Sequence, residues 1–361
     1  VWTLYDFANT SYSIIVVTFL YAVYFKETVN LNKSEGDFYW GLGTSVSMLV
    51  AALISPVLGA VADYTSTKKR FLTFFSLVCI VATSLLYFVG PGDVVLGLAL
   101  LIVANIGFEA GLIFYDSFLP EITKPKNFGR VSGYGYAMGY LGSLSSLLIL
   151  MPLIQMEMIS ESFPVAALFF FIFALPTLIL LKEHKKEKPS GESYFTIGVT
   201  RVIFTIKHLK QYRNLAIFLL SFFFFIEGVN TIIYFAGIYA TTTLGFTKGE
   251  LIIFFMSVQG TAILGSVVFG IISDTIGHKK SLMITLFIWI FTVALAFWIT
   301  EKSYFYVVGF LAGGAMGSSQ SISRALMSQL TPPDKKTEFF GFYSFFGKSS
   351  AILGPLVFGL I

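Results

Sequence analysis

Apolar runs near or above the ~18 residues that carry a helix across a bilayer recur along the whole chain, separated by short polar breaks. Those breaks outline eleven spans, at about 1–25, 38–62, 71–90, 94–117, 131–153, 164–181, 215–240, 250–273, 281–299, 304–327 and 339–361. Barrel strands would be shorter and would alternate in polarity, so the spans are helical. The first run is already of span length and others follow it, which argues against a cleavable signal peptide. The chain opens on Val1 and stops at Ile361 inside an apolar run, so both ends are expected to be trimmed.

One long polar stretch interrupts the pattern, from Lys182 to Asn214. It begins as a charge run (Lys182 to Lys188), passes through Pro189, Ser190 and Gly191, and continues as Tyr194 to Arg213. That last piece sets Ile197, Val202, Ile206 and Leu209 against Arg201, Lys207, Lys210 and Arg213, the pattern of an amphipathic helix. An ordinary linker helix is the simpler expectation.

Composition explains where the spans must go. Hydrophobic residues make up 56% of the chain and charged residues 12%, with a mean hydropathy of +0.80. A soluble chain is about 45–50% apolar and about 25% charged, so the excess faces a lipid bilayer. The net charge of +4 calls for no nucleic acid. The lone cysteine, Cys79, excludes a disulfide framework and reads as a small buried hydrophobe.

Basic residues give the orientation. With the N-terminus cytoplasmic, the inner loops hold 18: Lys68, Lys69 and Arg70; Lys124, Lys126 and Arg130; eight from Lys182 to Arg213; Lys279 and Lys280; Lys335 and Lys336. The outer side holds only Lys26, Lys33, Lys248 and Lys302. Short loops favour a bacterial plasma membrane.

The chain also repeats. Asp6-Phe-Ala-Asn9-Thr10 matches Glu227-Gly-Val-Asn230-Thr231 at an offset of 221. Gly59, Asp63, Lys68 and Lys69 match Gly270, Asp274, Lys279 and Lys280 at 211, and Thr123, Gly133 and Gly139 match Thr331, Gly341 and Gly347 at 208. Three matches in one order imply six-helix halves of the same orientation: 1–181, a linker at 182–214, and 215–361 with five helices of its six.

These residues resemble the major facilitator superfamily. Its loop motif Gly-x-x-x-Asp-x-x-Gly-Arg-Lys is matched better by Gly270-Ile-Ile-Ser-Asp274-Thr-Ile-Gly277-His278-Lys279-Lys280 than by the first copy, where Ser66 and Thr67 replace the glycine and the basic residue. Within it, Trp2-Thr-Leu-Tyr5-Asp6-Phe7-Ala8-Asn9-Thr10, Phe114-Tyr115-Asp116 through Leu119-Pro120, Glu227-Gly228-Val229-Asn230-Thr231, Ser323-Arg324 through Thr331-Pro332-Pro333, and Glu338-Phe339-Phe340-Gly341-Phe342-Tyr343 resemble the vacuole-effluxer-like family. The resemblance implies an all-α membrane protein with the major facilitator fold, eleven of twelve spans present, and efflux of amino acids or similar small solutes by alternating access. A monomer with no cofactor is expected. The loop motif is implied to stabilise the state closed on the cytoplasmic side.

A charge at the bilayer centre costs at least about 2.5–3.5 kcal/mol, so each one needs a reason. Within the spans these are Asp6, Glu109, Asp116, Glu227, Arg324 and Lys348, on spans one, four, four, seven, ten and eleven. The resemblance makes helices one, four, seven and ten the lining of a central cavity, which takes in all of these but Lys348. Spacing groups Asn105, Glu109, Leu112 and Asp116 on one helical face, Asp6, Asn9 and Ser13 on another, and Glu227, Asn230 and Tyr234 on a third. Tyr115, Gln320 and Arg324 complete the candidate substrate or proton path. The plainer reading is that these groups pair with one another and hold the halves together. Asp6 or Glu227 is expected to take up a proton during the cycle. At the 208 offset Asp116 and Arg324 are equivalent, and they are expected to form an ion pair between the halves, with Glu109 or a substrate carboxylate as the alternative partner of Arg324.

Asp63 and Asp274 are expected to cap a neighbouring helix N-terminus and pair with a basic side chain, acting on conformation and not on solute. The glycines of span five, Gly133 to Gly142, read as a packing face. A membrane-embedded enzyme is the rival class, but His184, His208 and His278 lie in loops with no second metal ligand at helical spacing, and no catalytic residue is assigned. A sensor built on a transporter fold is the other alternative.

Overall fold

The computed structural model describes residues 1–183 and 194–358, and among them there are helices and turns but no strand. The helices are α1 (Thr3–Val29), α2 (Gly36–Thr65), α3 (Lys68–Leu85), α4 (Val94–Ser117), α5 (Phe128–Gln155), α6 (Ile159–Leu180), α7 (Tyr194–Lys207), α8 (Arg213–Thr242), α9 (Lys248–Ile276), α10 (His278–Trp298), α11 (Lys302–Leu330) and α12 (Lys336–Phe358). In α1 the winding loosens to π turns at Ser13–Phe19 and Phe25–Val29. Among the described residues nine helices, α1–α6 and α8–α10, are long and apolar enough to cross a membrane. The helices α11 and α12 complete the eleven that the polar breaks outline. The first is diluted by Gly309, Gly313, Gly314, Gly317, Ser318, Ser319 and Ser321, the second by Lys336, Glu338 and Lys348. Residues 359–361, the end of the eleventh span, lie outside the described residues, as do 184–193 with most of the linker charge run.

Packing groups the chain into two compact units that differ from the repeat-based halves. Unit one takes Val1–Ser117, Leu141–His208 and Pro333–Lys348; unit two takes Phe118–Tyr140, Leu209–Pro332 and Ser349–Ile361. The first turns of α12 thus pack with α2, and the first turns of α5 pack with α9 and α11. Backbones can come this close only where side chains vanish. A Cβ on Gly59 would lie 2.2 Å from the Thr337 carbonyl oxygen, and one on Gly341 would lie 2.4 Å from that of Ser55. In unit two a Cβ on Gly133 would lie 2.3 Å from the Ser266 carbonyl oxygen. Of the glycines of span five, Gly133 thus packs on α9, and Gly142, in unit one, packs on α1, where a Cβ would lie 2.1 Å from the Phe7 carbonyl oxygen.

Two loops deserve comparison. The end of α9 turns on Gly277 at φ +95°, whereas α2 ends on Ser66 in the left-handed region at φ +50°, ψ +48°. The serine makes a left-handed turn that glycine would make at lower cost, about 1 kcal/mol. Helix α7 buries Ile197, Gly198 and Thr205, with Gly198 against Val57 and Val61 of α2. Ile203, Phe204 and Ile206 stay exposed. The linker helix therefore buries only part of its expected apolar face: Ile197 is inside, while Ile206 is exposed.

Candidate functional site

Two carboxylates occupy equivalent places in the two units. In unit one, Asp63 near the end of α2 accepts the Glu338 backbone N–H (2.8 Å), with Thr337 and the Lys68 charge beside it. This anion sits on the exposed N–H groups and the positive dipole end of α12. In unit two, Asp274 near the end of α9 accepts the N–H of Gly129 (2.7 Å) and of Arg130 (3.1 Å), at the start of α5. The Arg130 Nε also donates to it at 2.8 Å. The expected capping is present in both copies, and each cap joins a helix of one repeat to a helix of the other.

The basic side chains around the two caps differ. Lys279 is exposed, and Asp274 is paired by Arg130, whose backbone N–H it also accepts. Lys69 turns away from Asp63 and donates its ammonium to the Ile179 carbonyl (2.8 Å). The Lys68 and Lys69 amides are held by Glu183, at 2.6 and 3.3 Å, so α3 has its own carboxylate cap from the end of α6. Gly270 packs its Cα against Gly129 and Gly133, as Gly59 packs against Thr337.

Unit one gathers most of the candidate polar path. Tyr115 donates its hydroxyl to Asp6 (2.7 Å), and its ring is stacked between Trp2 and Tyr5, at 4.4 and 4.7 Å between centroids. Asn105 donates to Ser47 (2.7 Å), and its carbonyl faces the Tyr12 hydroxyl at 3.5 Å. Asn9 is buried, and its Nδ2 has no hydrogen-bond partner. Glu109 forms an ion pair with Lys348 of α12 at 2.9 Å, with both side chains only 12% and 9% exposed. Lys348 was visible in the sequence as an intramembrane cation, but its helix could not be paired with α4 by spacing alone. Asp116 also belongs to this unit, half-buried.

Unit two holds the rest. Arg324 is buried in α11, with its Nε donating to the Ser132 hydroxyl and its Nη2 to the Ser132 carbonyl, each at 2.9 Å. Its guanidinium lies 4.2 Å over the Tyr136 ring. Gln320 accepts the Tyr140 hydroxyl at 2.6 Å. Both residues therefore grip the first turns of α5. Glu227 accepts from Thr231 (3.2 Å), and its Oε2 is buried with no hydrogen-bond partner. Asn230 is half-buried on the same helix; the Tyr234 side chain lies outside those described. Ser132, Tyr136 and Glu338 escaped the sequence reading because they border span ends or carry no charge.

Comparison with known proteins fits this architecture. Residues 39–361 match the family described as vacuole effluxer Atg22 like. An MFS-type transporter, YxiO, of Bacillus subtilis is 32% identical over 99% of this chain and 86% of its own length. Autophagy-related protein 22 of Kluyveromyces lactis is 26% identical over 88% of this chain and 72% of its own. Among solved structures, the proton:xylose symporter XylE bound to 6-bromo-6-deoxy-D-glucose superposes with a TM-score of 0.75 at 14% identity, over 99% of this chain and 87% of that one. The human organic anion transporter MFSD10 gives 0.72 at 13%, over 99% and 91%. These two speak for the fold alone. The chain has the major facilitator fold and belongs to the vacuole effluxer Atg22-like family of multi-pass membrane transporters.

Proposed function

We propose that this transporter exports a small zwitterionic solute of the amino-acid class by alternating access, with its N-terminus on the cytoplasmic side of a bacterial plasma membrane. The observation that supports this reading is the matched pair of caps, Asp63 on α12 and Asp274 on α5. Each ties helices of opposite repeats at the ends bearing the basic loops, and each must release for that side to open. A carboxylate on a helix N-terminus contributes about 0.3–1 kcal/mol when exposed and up to about 2 when partly buried. Bonds of that size hold a state yet break within a transport cycle. Carboxylates and cations on α1, α4, α8, α11 and α12 offer both charges that an amino acid presents. The name of the family supports efflux. Asp6 and Glu227 are the candidates for proton coupling.

The test is transport by the reconstituted chain against a panel of labelled amino acids, with and without a pH gradient. Uptake into inverted vesicles for at least one amino acid supports the reading, and a gradient effect lost in Asp6→Asn with Glu227→Gln supports coupling through those groups. Asp63→Asn should lower turnover about tenfold, as loss of ~1.4 kcal/mol would, with little change in substrate affinity. Weakened affinity at unchanged turnover would place Asp63 in the solute site and overturn its role as a gate.

A further inference from the structure

The two caps differ in one charge, and the linker helix supplies the difference. By the 208 offset, the position equivalent to Arg130 is Glu338. At the Asp274 cap, the arginine pairs with the capping carboxylate. At the Asp63 cap the same position carries an acid, fully buried, whose charge opposes that of Asp63. Two like charges so placed would drive α2 and α12 apart. One cation from α7 and one from the entry of α12 itself reverse this. Arg201 of α7 reaches Glu338 Oε2 with its Nε at 3.4 Å, and the Thr205 hydroxyl donates to Oε1. Lys335 approaches Oε1 at 3.8 Å, and its ammonium donates to Thr205 Oγ1 at 2.8 Å while lying 5.3 Å over the Phe204 ring. Helix α7 is seated for this task by Gly198, which allows it to lie against Val57 and Val61, within the two turns before Asp63.

We infer that Arg201 and Thr205 of the linker helix are positioning residues of the Asp63 gate, supplying in trans to α12 the compensation that Arg130 supplies within α5. The linker is then a latch on one gate of two. It rests on reading the caps as gates, and it is tested on the gate itself, so that a failed transport assay and a failed latch are told apart.

The measurement is amide hydrogen exchange of the full chain in lipid nanodiscs, comparing residues 337–341 of α12 with residues 129–133 of α5. Arg201→Ala should speed exchange at 337–341 by about tenfold, since it removes one of the two cations that compensate a buried carboxylate, and should leave 129–133 unchanged. Glu338→Gln in the same background should return 337–341 to nearly the original rate, because the acid that needs compensation is gone. A purely structural role for Arg201 gives the opposite pattern, with the two substitutions adding. Unchanged exchange in Arg201→Ala, or additive loss in the double variant, overturns the inference. If Arg201→Ala does not fold, Arg201→Ala with Glu338→Arg, which copies the other gate, should fold and protect 337–341; failure of that variant too counts against the latch.

Discussion

Lys348 and Glu109 meet in the interior of unit one at 2.9 Å, each with most of its side chain out of reach of solvent. Neither charge could stay in that setting alone. Lys348→Ala should cost roughly 3–5 kcal/mol, the penalty for stranding a buried partner. Replacing both by leucine should cost far less, since a well-packed apolar pair often matches a buried ion pair. Thermal unfolding of the detergent-solubilised single and double variants checks this. Equal destabilisation by the single and double variants would mean that the ion pair is not what the site depends on. Charge inside a span was legible from the sequence alone; the identity of the partner was not, because α4 and α12 come together only through tertiary packing. The same holds for Arg324, whose partners Ser132 and Tyr136 carry no charge to betray them.

At the level of elements, the contacts of α2 with α12 and of α9 with α5 depend on backbone approaching backbone. Gly59→Val would put carbon where the Thr337 carbonyl oxygen already is. Overpacking of this kind costs about 1–3 kcal/mol, which should appear as faster exchange of the first turn of α12 and a population shifted towards the opened gate. Gly228→Ala is the control, because a Cβ there meets nothing within 4 Å, and it should leave exchange unaltered. Equal effects of the two would refute the close-approach argument. The spacing Gly59-x-x-x-Asp63 is thus one device: the glycine admits the neighbouring helix and the carboxylate one turn later caps it. At Ser66 the same motif lacks its usual glycine, yet the turn is left-handed all the same, so tertiary context outweighs local preference there.

For the whole molecule, the repeat and the packing cut the chain differently. The repeat divides it at the linker, whereas packing assigns the first turns of α5 and α12 to units dominated by the other repeat. Asp116 lies in unit one and Arg324 in unit two. The ion pair that the 208 offset leads one to expect between them is open to a test by substitution. Asp116→Ala and Arg324→Ala should each reduce transport severely, and Asp116→Arg with Arg324→Asp should restore part of it, measured as flux in proteoliposomes. No rescue would assign Arg324 to its Ser132 and Tyr136 contacts or to a substrate carboxylate.

The sequence alone decided what a bilayer demands locally: span lengths, helical winding, the sparseness of charge and the internal repeat. Those properties follow from the cost of exposing polar backbone and charge to hydrocarbon, which each segment meets on its own account. It also placed Asp63 and Asp274 at helix ends, since a carboxylate before a basic loop is a local pattern. Only tertiary structure decided which N-terminus each carboxylate caps, that Arg130 and not Lys279 answers Asp274, that Lys348 answers Glu109, and that α7 docks on α2 with Arg201 against Glu338. Ion pairing and close packing are relations between segments more than a hundred residues apart, and periodicity within one segment carries no record of its neighbour.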